Sequence, residues 1–195
     1  MSRTRAAAAS RSTSEVVIDF RQDHFALFDL PRTFRVDAAA LDRRYRALQS
    51  EVHPDRHASG EQAADPALQR MALQASARVN EAYATLRDPA SRGEYLLSLE
   101  GIESLSETDT VMPPDFLMEQ MERREAIEDA ARDGNSNALE AALQDIALER
   151  LSLIDDIANA LDRRLLDDAK TAVRKLRFLD RVKSEINEAL IAIEA

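Results

Sequence analysis

Two apolar stripes of helical period, one on each side of His53-Pro54-Asp55, limit what this chain can fold into more than any other feature. Before the tripeptide, Leu41, Tyr45, Leu48 and Val52 recur at i, i+4, i+7 and i+11, which is one face of a helix. After it, Leu68, Ala72, Ala75, Val79, Tyr83 and Leu86 draw a second such face. A helix with one apolar face buries that face, and two of them joined by a short polar connection do so by folding back antiparallel. The tripeptide then sits at the tip of a helical hairpin. Pro54 stiffens the tip, because its φ is fixed and it has no N–H, and His53 and Asp55 project from it.

The tip admits four chemical readings. A histidine and a carboxylate flanking a proline are the groups of an acid–base pair. However, the sequence supplies no nucleophilic cysteine, no phosphate-binding glycine loop and no sign of a pocket to go with them. His53 and His57 have the i, i+4 spacing of a metal pair on a helix, but Pro54 interrupts the helix and no further His or Cys joins them. A turn proline with incidental neighbours is the third reading. Docking to a partner is the fourth: Asp55 can accept charge-assisted hydrogen bonds from a partner's arginine. Arg43 and Arg46 lie opposite the Leu41/Tyr45/Leu48 stripe with Arg44 on its flank, so the hairpin also offers a thin basic face, with Asp42 among the arginines.

Composition extends the helical reading to the whole chain. Four glycines and six prolines in 195 residues, with abundant Ala, Leu, Glu and Arg, favour an all-α fold whose cores are built from Leu, Ile, Val and Ala. No apolar run approaches the ~18 residues of a membrane span. There is no cysteine, so the chain forms no disulfide and cannot ligate an iron–sulfur cluster through thiolates. Residues 1–100 carry 14 basic and 14 acidic residues, and residues 101–195 carry 12 and 22, so the entire formal charge of −10 lies in the second half. Such a surface repels phosphate backbones and argues against nucleic acid as a general partner.

Residues 1–22 read as a disordered tail. The first 14 hold three arginines, four serines and no acid, as transit peptides do, yet they have no bulky apolar residue after Met1 from which to build an amphipathic face. The first folded unit is expected over 23–100. Asp37 reads as the N-cap of its second helix, Asp88-Pro89 ends the third, and a fourth segment, Ala90 to Glu100, stops at Gly101. Residues 101–113 read as a linker. Residues 114–195 show three long amphipathic patterns, the arrangement of a three-helix bundle. The first runs from near Asp115 to Gly134-Asn135, the second carries Leu139, Leu143, Ile146, Ile154, Ile157 and Leu161, and the third carries Leu179, Val182, Ile186, Leu190 and Ile193.

The first bundle helix is apolar on two faces. Phe116 and Ile127, with Ala131, share one, and Leu117, Met118 and Met121 lie well away from it beside Glu122 and Glu125. A helix at the edge of a bundle needs only one apolar face, so the second is either a docking patch or is covered by the first unit. On the last helix Lys170, Arg174, Arg177 and Arg181 form a basic stripe, and Phe178 falls between it and the core stripe.

The hairpin with His53-Pro54-Asp55 resembles the J-domain of DnaJ-like co-chaperones. Phe25-Leu27-Phe28-Leu30-Pro31 resembles that family's opening helix, and Asn80 to Pro89 with Arg92 and Tyr95 its closing helix. Further on, Tyr95-Leu96-Leu97-Ser98-Leu99, Phe116-Leu117-Met118-Glu119-Gln120-Met121 and Val173 to Leu179 resemble the HscB-type co-chaperones of iron–sulfur cluster assembly. The resemblance spans about residues 23 to 195. It implies an L-shaped, two-domain adaptor that is not an enzyme and carries no cofactor or metal, and it lacks the N-terminal Cys-rich metal module of some relatives. It implies that His53, Pro54, Asp55, Arg43, Arg44 and Arg46 meet a specialised, HscA-type Hsp70 and stimulate its ATPase. It implies too that Leu117, Met118, Met121, Glu122, Glu125, Arg177 and Phe178 hold an IscU-type scaffold protein, with neither nucleic acid nor membrane as partner. Met121 stands where the family commonly has Leu. The bacterial form implies a cytoplasmic location, the Arg/Ser tail keeping a mitochondrial matrix alternative. A general J-protein with another client is the alternative function, and a binding module with a silent tripeptide a further one.

Overall fold

Local chemistry at the chain's turns decides where each helix begins and ends. The computed structural model describes residues 19–52, 66–103 and 112–194, and among these every regular element is a helix. They are α1 (His24–Leu27), α2 (Ala38–Val52), α3 (Pro66–Arg87), α4 (Pro89–Leu99), α5 (Pro114–Arg132), α6 (Ser136–Asp162) and α7 (Leu166–Glu194). The all-α class expected from composition is the one found. The opening helix is shorter than its apolar residues suggest, a single turn whose N–H at Ala26 donates to Asp23.

Asp37 accepts from the N–H groups of Ala39 and Ala40 at 2.9 and 3.1 Å, so it caps α2 as expected. Asp88 has an extended backbone and its carboxylate accepts from Ser91 N–H at 2.8 Å. One residue therefore ends α3 and caps α4, with Pro89 in the first helical position where a missing N–H costs nothing. Gly101 and Gly134 close α4 and α5 in the left-handed region. Arg164 does the same after α6, at φ 57°, with Leu165 N–H donating to Ala160 C=O at 2.8 Å.

The α2–α3 hairpin is held on its apolar side by Leu41, Val52, Val79 and Leu86, all buried. Phe25, Phe28 and Phe34 fill the space beneath it. Two tyrosines of the predicted stripes, Tyr45 and Tyr83, stack at 4.0 Å instead of entering the core fully. Their hydroxyls donate to Asn80 and Asp42 at 3.0 and 2.9 Å, which satisfies their polar ends.

The long antiparallel pair α6–α7 carries the second core, with Leu139, Ile146, Ile157, Leu176, Leu179 and Ile186 completely buried. One side of the pair receives α5 and another receives α4, which joins the N-terminal helices to the bundle. Gly93 makes that approach possible: a Cβ there would lie 2.6 Å from Val173 Cγ2, with Ile157 and Phe34 next nearest at 3.6 Å. Ion pairs frame the same junction, Arg164 with Glu100 at 2.7 Å and Arg35 with Asp155 at 3.1 Å. No helix among the described residues is long and apolar enough to cross a membrane.

Candidate docking site

Three anchors fix the rotation of α5 about its axis. Phe116, Ile127 and Ala130 are buried toward the α6–α7 pair. Arg123 reaches α6, ion-pairing with Glu149 at 2.7 Å, and Arg124 reaches α7, with Glu185 at 2.7 Å. Gln120 is buried as well, its carbonyl accepting from Arg123 at 3.0 Å, a role that its place in the sequence does not reveal. With those positions spoken for, the opposite face of α5 is turned outward. Leu117, Met118 and Met121 are 41, 63 and 73% exposed, and Glu122 and Glu125 beside them are exposed too. Of the two possibilities left open by periodicity, a covered second face and a free one, the structure has the free one.

Phe178 of α7 packs against the core side of α5. Its ring meets Phe116 edge-on at 5.7 Å, and Lys175 Nζ lies 5.1 Å from the Phe116 centroid. Phe178 is half-buried, so part of its ring remains open on α7. The flexible thioethers of Met118 and Met121 can adapt to a partner's shape, and the carboxylates of Glu122 and Glu125 supply hydrogen-bond acceptors at the rim.

The basic stripe of α7 does not act as one face. Arg181 is exposed, whereas Lys170, Arg174 and Arg177 are partly buried. Arg177 is turned away from the strip toward α4. Its Nε and one terminal nitrogen donate to the two Glu94 carboxylate oxygens at 2.5 and 2.9 Å, and the remaining contacts run to Ser91 Oγ at 2.7 Å and Asp88 at 3.2 Å. The hydrogen bonds to Glu94 raise its pKa, so the group is held in its charged form. Four acceptors on α4 and at its cap therefore occupy the guanidinium, which separates Arg177 from the exposed residues of α5 with which it was expected to act.

On the hairpin, His53, Pro54 and Asp55 lie outside the described residues. The helix that leads to them is described through Val52, and it presents Arg43, Arg44 and Arg46 to solvent. Arg44 pairs with Asp29 at 2.6 Å, and Arg46 donates to the backbone carbonyl of Asp42 at 3.2 Å. Asp42, which seemed by position to dilute this basic face, is turned inward. Its carboxylate takes the Arg87 guanidinium at 2.8 Å as well as the Tyr83 hydroxyl.

The opening turn is packed just as tightly. His24 is buried and its ring stacks on Tyr95 at 4.1 Å, while its backbone N–H donates to the Tyr95 hydroxyl at 2.9 Å. Burial lowers the imidazole pKa and Arg78 adds to that, against the opposing pull of Glu81 and Asp23. Two open grooves are found among the described residues. One, about 440 Å³, runs between α6 and α7 past Leu153, Asp168 and Lys175. The other, about 600 Å³, lies beside His24, Glu81 and Glu94.

Comparison with known proteins gives consistent results. A family model described as the HSCB C-terminal oligomerisation domain matches residues 112–187. A protein of Burkholderia multivorans, called a co-chaperone protein HscB homolog, is 46% identical over 178 residues, 91% of this chain and 99% of its own length. Among solved structures, the chaperone HscB of Vibrio cholerae is 35% identical with a TM-score of 0.76, covering 88% of this chain and 99% of that one. The human co-chaperone protein HscB is 33% identical with a TM-score of 0.79, covering 88% and 83%.

Proposed function

Because this chain belongs to the HscB family of co-chaperones, with their J-domain and C-terminal helical bundle, we propose that it stimulates the ATPase of an HscA-type Hsp70 and delivers an IscU-type scaffold protein of iron–sulfur cluster assembly to it. The observation that carries this reading is the free strip Leu117/Met118/Met121, with Glu122 and Glu125 beside it, on a helix whose core face is already satisfied; Phe178 joins the site from α7. Contiguous exposed apolar surface of this kind marks interaction sites. The scaffold docks there, and the hairpin meets the Hsp70.

On the hairpin, His53, Pro54 and Asp55 form the contact that triggers hydrolysis, and Arg43, Arg44 and Arg46 meet an acidic surface of the partner. The internal neutralisation of Asp42 leaves the basic face with its full charge. The Arg44–Asp29 pair is exposed on both sides, so exchanging Asp29 for a partner carboxylate costs about 0–1 kcal/mol. The chemistry throughout is binding and positioning. The hydrolysed nucleotide belongs to the Hsp70 and the cluster to the scaffold, and the relatives carry co-chaperone names in keeping with a protein that is not an enzyme. The bacterial relatives support action in the cytoplasm.

Steady-state ATPase of the cognate Hsp70 with its scaffold tests both sites. His53→Gln loses stimulation at every concentration. Leu117→Ala/Met121→Ala loses it at low concentration and regains it in excess, the scaffold affinity falling by roughly thirty- to several hundred-fold if each truncation costs about 1–2 kcal/mol. No stimulation by the wild-type chain would refute the Hsp70 role. A double mutant indistinguishable from wild type would place the scaffold elsewhere, and wild-type stimulation without scaffold binding would point to a J-protein with another client.

A further inference from the structure

Arg177 and Phe178 are chain neighbours, so about 100° of helix rotation separates their side chains. Phe178 packs edge-on against Phe116 of α5, the helix that bears the docking strip. Arg177 grips the start of α4 through Glu94, Ser91 and Asp88. Asp88 is the cap that ends α3, and the preceding residue, Arg87, holds Asp42 of α2 at 2.8 Å. Asp42 in turn immediately precedes Arg43 and Arg44 on the basic face. Two charge-assisted contacts, Arg177–Asp88 and Arg87–Asp42, joined through neighbouring residues of the chain, therefore link α7 to the helix that runs up to His53-Pro54-Asp55.

We propose that Arg177 is a positioning residue: it fixes the orientation of the α1–α4 helices relative to the docking strip, so that a docked scaffold and a bound Hsp70 are held in register. This rests on the reading of the strip as the scaffold site, and adds what joins that site to the other. Two features make the guanidinium suited to the task. It is bidentate to Glu94, which restrains direction as well as distance, and the contact is only partly exposed, so water screens it incompletely. The close seat of Gly93 on Val173 supplies packing at the same junction but little resistance to rotation about the contact point. The clamp supplies that resistance on the docking-strip side, as Arg164–Glu100 and Arg35–Asp155 do farther along.

Glu94 lies on α4, away from the docking strip, so Glu94→Gln removes the ionic clamp without touching any surface the scaffold would meet. The chain has no cysteine, and Ala47→Cys on α2 with Glu128→Cys on α5 gives two exposed labelling points whose distance distribution is read by pulsed electron spin resonance. One narrow distribution is expected in the otherwise wild-type chain, and a broad one in both Arg177→Ala and Glu94→Gln. In the ATPase assay Glu94→Gln keeps the wild-type scaffold affinity and the wild-type stimulation without scaffold, and both variants lose about five-fold or more of the extra stimulation that scaffold brings. The double variant is no worse than either single one, because the two residues act through one contact. Unchanged distance distributions in both variants overturn the proposal. So does weakened scaffold binding by Arg177→Ala alone, which would make Arg177 a direct contact. The distance measurement needs neither partner, so failure of the wild-type chain to bind scaffold refutes the docking reading independently of the clamp.

Discussion

Gly93 is the position where the junction between α4 and the bundle can be tested most sharply. A methyl group there would lie 2.6 Å from Val173 Cγ2, about 0.8 Å inside the 3.4 Å at which ordinary contact begins. Val173 is fully buried, and a β-branched side chain on a helix has one strongly preferred rotamer, so it cannot swing aside. The overlap must be relieved by moving α4 or α7, and forced overpacking costs about 1–3 kcal/mol. Opposing this, alanine is favoured over glycine inside a helix by about 1 kcal/mol. Gly93→Ala is therefore expected to destabilise by about 1 kcal/mol, which is about 2–4 °C in Tm for a chain of this size. Val173→Ala alone should cost roughly 2 kcal/mol for the lost methyl groups and the cavity. In the double mutant the new methyl enters the space left by Val173, so the combined loss should fall short of the sum by about 1 kcal/mol or more. Urea unfolding followed by far-UV circular dichroism, with m-values compared, measures all three. Strict additivity, or a Gly93→Ala protein more stable than wild type by the full helix-propensity gain, would refute the argument that this glycine exists for close approach.

Two further outcomes follow from local geometry. Arg164→Gly relieves a side chain held at φ 57° and gives up only an exposed pair with Glu100, so thermal unfolding should shift upward by the equivalent of about 0.5–1 kcal/mol; a lower Tm would mean the pair outweighs the strain. His24 has a folded pKa below its ordinary value of 6.5, so the unfolded chain binds a proton that the folded chain refuses. Its contribution to stability is therefore complete above about pH 6.5 and is lost progressively as the pH falls toward the folded pKa. The slope of Tm against pH in that window should flatten in His24→Phe, and an unchanged slope would show that another group carries it.

The fold was legible wherever one residue type meets one local demand. Asp37 and Asp88 cap because a carboxylate can accept from orphan N–H groups, and Gly101 and Gly134 end helices because the turn needs positive φ. Periodicity found the buried faces of α2, α3, α6 and α7, but it reports a direction, not a neighbour. Hence Tyr45 and Tyr83 were read as core when their rings stack at its edge, and Arg177 was read with Lys170, Arg174 and Arg181 as one basic stripe. What separates Arg177 from the stripe is Glu94, 83 positions away in the chain, and nothing in the α7 pattern encodes it. Gly93 did carry a signal, a glycine between two good helix-forming stretches, where its cost implies a compensating close contact; only the structure names Val173 as that contact. Gln120 gave none, since a glutamine on an amphipathic helix is by default a solvated residue.

Whether the second apolar face of α5 was free could not be decided from the sequence, because covering it requires knowing how α4 approaches. In the structure α4 packs on α7, on the side to which Arg177 points, while α5 is held from both flanks by Arg123 and Arg124. The first unit thus packs on α7 and leaves Leu117, Met118 and Met121 exposed. An open strip of this kind invites self-association, and the charge distribution opposes it. The half of the chain bearing the strip carries 22 acidic against 12 basic residues, so two copies approaching strip to strip also bring together like charge, including Glu122 and Glu125 at the rim. A partner with a basic rim around an apolar centre meets no such penalty. On the docking reading proposed above, the acidic excess that argues against nucleic acid as a general partner has a second expected consequence: it favours a protein partner of opposite charge.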